Sequence, residues 1–184
     1  MTTRHFLKDT DLSPAEQAEV LDLAVRMKAA PYSVQPLAAE GSARKTVAVI
    51  FDKTSTRTRV SFSTGVSDMG GTPLIINPGE SQIGHKESVE DTAKVLERMV
   101  AAIVWRTGAH QGLVDMAANS RVPVVNALCD DYHPCQLLAD LLTVKEELAK
   151  RGVLEQAGGS AYVSSLTDAP PDVANVERYA RIVK

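Results

Sequence analysis

The sequence is short of cysteine, of long apolar runs and of basic charge, and each shortage excludes a class of protein. Its two cysteines, Cys129 and Cys135, are too few for a disulfide framework, and their spacing is not that of a CxxC metal knuckle. The four histidines form no HxxxH or HExxH pattern, so we expect no metal and no cofactor. No stretch approaches the roughly 20 apolar residues that cross a bilayer. A formal net charge of −3 argues against general nucleic-acid binding. These shortages predict a soluble, cytoplasmic protein with neither a membrane nor a nucleic acid as partner.

What the sequence does contain is a fourfold alternation of apolar strands with amphipathic helices. The strands are predicted at 46–51, 73–77, 102–105 and 122–126. A capping box at 13–16 predicts the first helix over 13–29, and Gly70-Gly71 is expected to end the second. The third helix is capped at Ser88 and is predicted to bury Val95, Leu96 and Met99. A short helix around Leu113 and Met116 and a long one from His133 complete the series. This pattern predicts an α/β fold: a four-stranded parallel sheet flanked by helices, with a C-terminal helical appendage.

The chain is expected to divide at about residue 141. Residues 1–141 form the predicted α/β domain, and residues 142–184 form the helical appendage. Because Leu141, Val144 and Leu148 keep the helical spacing of the preceding segment, we expect the appendage to continue the His133 helix without a break. Short helical pieces are predicted beyond it at 161–166 and 175–183, with no strand between them.

Polar clusters follow the carboxyl end of every predicted strand, the edge at which open parallel sheets bind ligands. The clusters are Ser55–Arg59, Gln82–Lys86, Arg106 and His133–Gln136. Ser and Thr at a helix start followed by arginine are typical of a phosphate site, because unpaired helical N–H groups and guanidinium donors suit an anion. Simpler roles stay open: a helix cap for Ser55 and Thr56, a surface position for Arg106, a solvated loop for Lys86 and a small buried apolar residue for Cys135.

These motifs, in this order, resemble the carbamoyl-phosphate-binding domain of ornithine carbamoyltransferase. The resemblance rests on Phe51–Arg59, Gln82–Ser88, Trp105-Arg106 and His133-Pro134-Cys135-Gln136, and it covers residues 1 to about 141. Aspartate carbamoyltransferase shares the Ser-Thr-Arg-Thr-Arg run, but Lys53 and Cys135 are more similar to the ornithine enzyme.

The resemblance implies a transferase of arginine biosynthesis that makes citrulline and phosphate from carbamoyl phosphate and ornithine, and it assigns a role to each motif. Ser55, Thr56, Arg57 and Thr58 would hold the phosphate, or inorganic phosphate in its place. Arg106 and His133 would bind the carbonyl oxygen, with Arg106, His133 and Thr58 stabilising the charge that develops there. Gln136 would bind the carbamoyl amino group. Gln82 would reach the ligand of a neighbouring subunit in a homotrimer.

The resemblance stops after about residue 141. The family's second domain binds ornithine through Ser-Met-Gly and His-Cys-Leu-Pro motifs, which residues 142–184 do not contain. These residues instead resemble the end of the N-terminal domain of the bacterial replicative DNA helicase, so a chimera is suspected. Two hypotheses follow: a carbamoyltransferase chain that binds carbamoyl phosphate but transfers it poorly, and a non-catalytic recombined or engineered fold with a residual phosphate site.

Overall fold

The structure, a computed structural model, describes residues 3–39, 44–80, 83, 86–159 and 162–163. In these ranges the strands are β1 Thr46–Phe51, β2 Thr72–Ile76, β3 Ala102–Arg106 and β4 Val124–Leu128. The α-helices are α1 Pro14–Ala29, α2 Thr56–Asp68, α3 Val89–Leu96, α4 His110–Ala118 and α5 Pro134–Lys150. The chain divides into two compact units, Met1–Lys8 with Met27–Pro134 and Asp9–Arg26 with Cys135–Lys184.

The first unit contains one parallel sheet with the strand order β2-β1-β3-β4. The chain leaves β1 towards β2 and leaves β3 towards β4, so its connections diverge from the two central strands. Such a switch point opens a crevice at the carboxyl ends of the strands. The predicted four-stranded parallel α/β fold is therefore confirmed, and its crevice lies where β1 and β3 end.

Both faces of the sheet are covered, as the apolar character of β1 predicted. On one face Ala48, Ile50 and Trp105 pack with Leu113 and Met116 of α4, all of them buried. On the other face the alternate residues of β1 pack against α2. These buried residues are Val47, Val49 and Phe51, in a cluster with Val66. Burial on two sides fixes the end of β1, and thereby the turn that follows it.

The predicted helix boundaries at Ser13, Ser88 and Gly70 are confirmed by their hydrogen bonds. Ser13 N donates to Glu16 Oε2 over 2.9 Å and Glu16 N to Ser13 Oγ over 3.4 Å, which is the reciprocal pattern of a capping box. Ser88 Oγ accepts from Asp91 N at 3.0 Å. Gly70 has φ +82°, a left-handed conformation that glycine adopts without strain, and it ends α2.

Two expectations about element details are wrong. Val95 and Met99 are 53% and 65% exposed, because α3 ends at Leu96 and buries Thr92 and Ala93 instead. The fourth strand begins at Val124 rather than at residue 122. The N-terminal segment pairs with it: Phe6 N donates to Val124 O and Asn126 N to Phe6 O, each over 2.8 Å. The strand reaches Leu128 through its pairing with β3, where Leu128 lies opposite Arg106.

The described residues of the second unit are mostly helical, and its buried residues are mostly aliphatic. Leu21 of α1, Leu141 and Leu148 of α5 and Val163 form one buried cluster, against which Leu154 packs. A buried ammonium is neutralised within it, since Lys145 Nζ lies 2.5 Å from Asp22 Oδ1. Helix α5 runs without interruption through residues 141 and 142. Of the predicted tail helices, only Tyr162 and Val163 belong to the described residues, and both are helical.

No helix among the described residues has the length and apolar character needed to cross a membrane.

Candidate anion-binding site

The first turn of α2 offers unpaired backbone donors at the end of β1. Ser55 is the N-cap, with φ −159° and ψ 109°, and its hydroxyl oxygen accepts from Thr58 N at 3.4 Å. Thr56 and Arg57 follow in the first turn and are exposed. The hydrogen bonds and ion pairs of the described residues do not engage the Arg57 guanidinium. An anion at this position would meet helical N–H groups, the positive end of the helix dipole and a mobile positive charge.

Thr58 joins this turn to β3. Its Oγ1 accepts a hydrogen bond from Ser55 Oγ over 2.9 Å and another from Arg106 Nη1 over 2.8 Å. With two donors on its oxygen, the Thr58 hydroxyl group can donate its own proton to a ligand. The three side chains therefore form one connected donor group, although Thr58 and Arg106 are 48 residues apart in sequence.

Arg106 is only partly satisfied by its neighbours. Its Nε is buried, and no hydrogen-bond partner for it exists among the described residues. A buried donor without a partner costs about 1–3 kcal/mol. Such a group beside a crevice is typical of a site that a ligand completes.

A cavity of about 240 Å³ opens between α2 and the turn after β2. It is lined by Phe51, Thr54, Ser55, Thr56, Arg59, Asn77 and Pro78. Arg59 Nη1 donates to Asn77 Oδ1 over 3.3 Å. The Glu80 carboxylate in turn accepts from Asn77 N at 2.7 Å, and this backbone hydrogen bond, with those from the Asn77 amide, lowers the pKa of Glu80. Arg59 thus lines the cavity while bound to a neutral amide.

Two contacts around the crevice were missed by the sequence analysis. The Trp105 indole Nε1 donates to Asp52 Oδ1 over 3.1 Å, and Asp52 N donates to Arg106 O over 2.9 Å. Lys53 Nζ lies 2.8 Å from Asp130 Oδ1, which links the loops that follow β1 and β4. In the sequence analysis Lys53 served only to compare the ornithine and aspartate enzymes. No pattern in the sequence predicted a contact for Asp52 or Asp130. These pairs fix the rim of the crevice.

The other predicted site residues are not among those that the structure brings together around Thr58. His133 is half-buried in the loop between β4 and α5, at the same sheet edge as Arg106. Gln136 lies in α5, in the second unit, and its Nε2 donates to Asp140 Oδ1 over 2.8 Å. Lys86 is exposed. Gln82 lies outside the described residues. Of the predicted site, the structure therefore brings Ser55, Thr56, Arg57, Thr58 and Arg106 together.

The donor group and the adjacent first turn of α2 together suit an oxyanion such as phosphate. Their groups are hydroxyls, helical N–H groups and two guanidiniums, which complement phosphate oxygens. Among the described residues, no three His, Cys, Asp or Glu side chains are grouped so as to hold a metal ion. Burial raises the pKa of the Cys135 thiol to about 11, which leaves it protonated and unreactive near neutral pH.

The fold is that of an α/β domain with a polar crevice at the carboxyl edge of its parallel sheet. Residues 4–146 match the family described as aspartate/ornithine carbamoyltransferase, carbamoyl-P binding domain. The chain belongs to this family. The predicted resemblance over residues 1 to about 141 is confirmed.

Known relatives and solved structures agree with this assignment. The ornithine carbamoyltransferase of Renibacterium salmoninarum is 75% identical over 144 residues, which cover 78% of this chain and 46% of the relative. The solved ornithine carbamoyltransferase of Coccidioides immitis is 40% identical with a TM-score of 0.71, covering 79% of this chain and 46% of its own. The Giardia lamblia enzyme is 34% identical with a TM-score of 0.73, covering 85% and 47%. The chain spans about half the length of the curated relatives it matches.

A second family matches the end of the chain. Residues 128–184 are similar to the DnaB-like helicase N-terminal domain. The two matched ranges overlap over 128–146, which includes most of α5. The predicted resemblance of the tail to this helicase domain is thus confirmed as a resemblance.

Proposed function

We propose that this chain is the carbamoyl-phosphate-binding part of an ornithine carbamoyltransferase. The observation that carries the proposal is the group in which Thr58 Oγ1 joins Ser55 Oγ at 2.9 Å to Arg106 Nη1 at 2.8 Å. It lies at the switch point of the sheet and contains a buried Arg106 Nε without a partner among the described residues. The ornithine carbamoyltransferases among its relatives support ornithine as the acceptor. Aspartate is the alternative acceptor, since the matched family includes both enzymes.

In the proposed reaction the amine of ornithine attacks the carbamoyl carbon. The C–N bond forms, the bond from carbon to the phosphate oxygen breaks, phosphate leaves with the electron pair, and the proton lost by the amine nitrogen passes to the departing phosphate. Negative charge develops on the carbonyl oxygen, where Arg106, His133 and the Thr58 hydroxyl donate hydrogen bonds. Preorganised donors of this kind lower the barrier by about 3 kcal/mol each in other enzymes. Ser55, Thr56 and Arg57, with the start of α2, hold the departing phosphate.

Two further contacts complete the proposed site. Gln136 is assigned by the family resemblance to the carbamoyl amino group, from which its side-chain oxygen would accept a hydrogen bond. Gln82 reaches the ligand bound to a neighbouring subunit of a homotrimer. Measuring the solution mass with and without carbamoyl phosphate tests the trimer, and a monomer under both conditions would contradict it.

Calorimetric titration with inorganic phosphate and with carbamoyl phosphate tests the binding site. We expect both anions to bind the wild-type chain and Arg57→Ala to weaken both by about tenfold to a hundredfold, the worth of charge-assisted hydrogen bonds. Arg121→Ala is the matched control. Arg121 is an equally exposed arginine, but it precedes β4 and so lies at the opposite edge of the sheet. Equal affinities in wild type and Arg57→Ala would mean that the first turn of α2 serves only as a helix cap and does not bind the anion.

We further propose that these 184 residues, assayed alone, form citrulline poorly. Their similarity to the carbamoyl-phosphate domain ends at residue 146, and the following residues are similar to a helicase domain instead. The motifs with which the family binds ornithine do not occur in 142–184. Citrulline formation from ornithine and carbamoyl phosphate measures this directly, and turnover at the level of a full-length relative would contradict it.

A second candidate is a recombined fold in which the tail only completes a helical core. Val153, Leu154, Ala157 and Val163 pack in the cluster of Leu141 and Leu148, in the second unit. Helix α5 is continuous from residue 134 through the end of the overlap at residue 146, as a join within one helix would require. This reading keeps only a residual phosphate site, so it expects carbamoyl phosphate to bind no more tightly than inorganic phosphate. The calorimetric titration therefore separates the two candidates.

A further inference from the structure

A buried sulfur lies at the centre of the turn that leads into His133. Cys129 directly follows β4 and is 4% exposed. Its Sγ accepts hydrogen bonds from Tyr132 N at 3.3 Å and from Asn126 Nδ2 at 3.4 Å. Its backbone N donates to Tyr132 O over 3.0 Å. The sulfur and the backbone together close residues 129–132 into a turn that ends one residue before His133.

Asn126 ties this turn to the sheet. It belongs to β4 and is completely buried. Besides the sulfur, its Nδ2 lies 2.8 Å from Leu7 O and 3.3 Å from Tyr132 O. Leu7 belongs to the N-terminal segment that pairs with β4. A buried polar group held by several partners has one stable position, so Asn126 transmits the position of the strand to the turn.

His110 holds the turn from the other side. It is the first residue of α4, and its Nδ1 lies 3.7 Å from Cys129 Sγ. Its ring packs edge to face on the Tyr132 ring, with centroids 4.7 Å apart. The turn is therefore held by β4, by the N-terminal segment and by α4. These contacts lie within the first unit, close in sequence to His133, and none involves a residue of the proposed ligand site.

We propose that Cys129, Asn126 and His110 form a positioning cluster that sets the direction of the His133 imidazole. The inference rests on the proposed function, in which His133 donates to the carbonyl oxygen. A hydrogen bond to a developing charge depends steeply on distance and angle, so a small rotation of the turn weakens it. The proposed phosphate site at the start of α2, formed by Ser55, Thr56 and Arg57, does not depend on this turn. The cluster therefore affects recognition of the carbamoyl group and not of phosphate.

The test compares two ligands in one protein. Cys129→Ala removes the sulfur acceptor, and we expect it to weaken carbamoyl phosphate binding about fivefold to tenfold. Inorganic phosphate, which has no carbamoyl group, should bind within about twofold of wild type. Cys129→Ser restores an acceptor oxygen and an O–H donor and should recover part of the lost affinity. Val100→Ala is the control, because it also truncates a buried side chain of the first unit but precedes β3, at the opposite edge of the sheet, and should leave both affinities unchanged.

Variants of His133 show whether the cluster acts through the imidazole. His133→Ala should show the same selective loss, and the double variant Cys129→Ala/His133→Ala should be no weaker than His133→Ala, because the cluster acts through the imidazole. His110→Phe keeps the ring contact with Tyr132 but removes Nδ1, and we expect a selective loss of about twofold to threefold. It tests the cluster independently if Cys129→Ala does not fold.

The outcomes are distinct. A selective loss in His133→Ala without one in the Cys129 and His110 variants overturns the positioning cluster and leaves the proposed function intact. Equal losses for both ligands in Cys129→Ala also overturn it, because that is the effect of general destabilisation. If His133→Ala shows no selective loss, the role of His133 in the proposed function fails first. Selective loss with recovery in Cys129→Ser supports the inference.

Discussion

The two units of this chain differ in how their buried polar groups are satisfied. In the first unit polar side chains are gathered at a sheet edge and bonded to one another, as in the Ser55, Thr58 and Arg106 group, and a buried donor lacks a partner among the described residues. In the second unit aliphatic side chains form one cluster, and its buried ammonium, that of Lys145, is paired with Asp22. Incomplete polar satisfaction is a cost that a ligand can offset, whereas a satisfied apolar core only adds stability. The comparison predicts that variants in the two units change different observables.

The largest expected effect is on the stability of the helical unit. Leu148→Ala removes a buried side chain from the cluster with Leu21 and Val163, and we expect it to lower the free energy of unfolding by about 2–5 kcal/mol. Carbamoyl phosphate affinity of the folded chain should stay within about twofold of wild type, because the site is untouched. Urea unfolding and calorimetry measure the two quantities. A large loss of affinity at unchanged stability would break the comparison.

The next effect concerns ligand affinity. Thr58→Val keeps the shape of the side chain and removes the hydroxyl that joins Ser55 to Arg106. We expect carbamoyl phosphate to bind about tenfold more weakly, while the free energy of unfolding changes by less than about 1.5 kcal/mol. Thr64→Val, an exposed threonine later in the same helix, is the control. Identical affinities of Thr58→Val and Thr64→Val would remove Thr58 from the site.

A smaller effect on the free energy of unfolding is expected when either member of the buried ion pair is replaced. The two members differ in burial, because Lys145 is buried whereas most of the Asp22 side chain is exposed. Asp22→Asn leaves an ammonium without its counter-charge and should cost about 1–3 kcal/mol of unfolding free energy, while Lys145→Met replaces it by an apolar chain of similar length and should cost less than about 1 kcal/mol. Thermal unfolding of the two variants checks the order. If Lys145→Met is the more destabilised, the pair stabilises the unit rather than merely neutralising a charge.

The smallest effect is expected for the pair at the rim of the crevice. Lys53 and Asp130 are joined at 2.8 Å, but their side chains are 55% and 63% exposed. Exposed pairs contribute about 0–1 kcal/mol, so Lys53→Met and Asp130→Asn should each change the free energy of unfolding by no more than that. Raising the salt concentration to 1 M should remove the difference from wild type. A cost that persists at high salt would mean that the pair orders the rim by packing.

The sequence was most informative where structure is local. The capping box at Ser13, the N-cap at Ser88 and the stop at Gly70 follow from chemistry within four residues, and the alternation of apolar segments predicted the parallel sheet. The exposed Val95 and Met99 show the limit of periodicity, because spacing does not reveal that α3 ends at Leu96. Nor does any local pattern reveal that β4 pairs with Phe6, more than a hundred residues away in sequence.

The candidate site divides in the same way. Ser55, Thr56, Arg57 and Thr58 could be predicted because they occupy one helix turn after one buried strand. The hydrogen bond between Arg106 and Thr58 could be anticipated only as a shared sheet edge, and the Asp52–Trp105 contact not at all, since nothing in either segment specifies the partner. The same holds for Cys129 and His110, whose contact depends on how α4 packs beside β4. Local chemistry is readable in a sequence, whereas pairing between elements depends on the fold.

The most direct test of the site is a calorimetric titration of the wild-type chain and Arg106→Ala with carbamoyl phosphate. The guanidinium of Arg106 is joined to Thr58 and carries the buried donor without a partner among the described residues. We predict one saturable site per wild-type chain and an affinity about tenfold to a hundredfold lower in Arg106→Ala, because charge-assisted hydrogen bonds to the ligand are lost. Equal affinities in the two proteins, or no binding to the wild-type chain, would contradict the account.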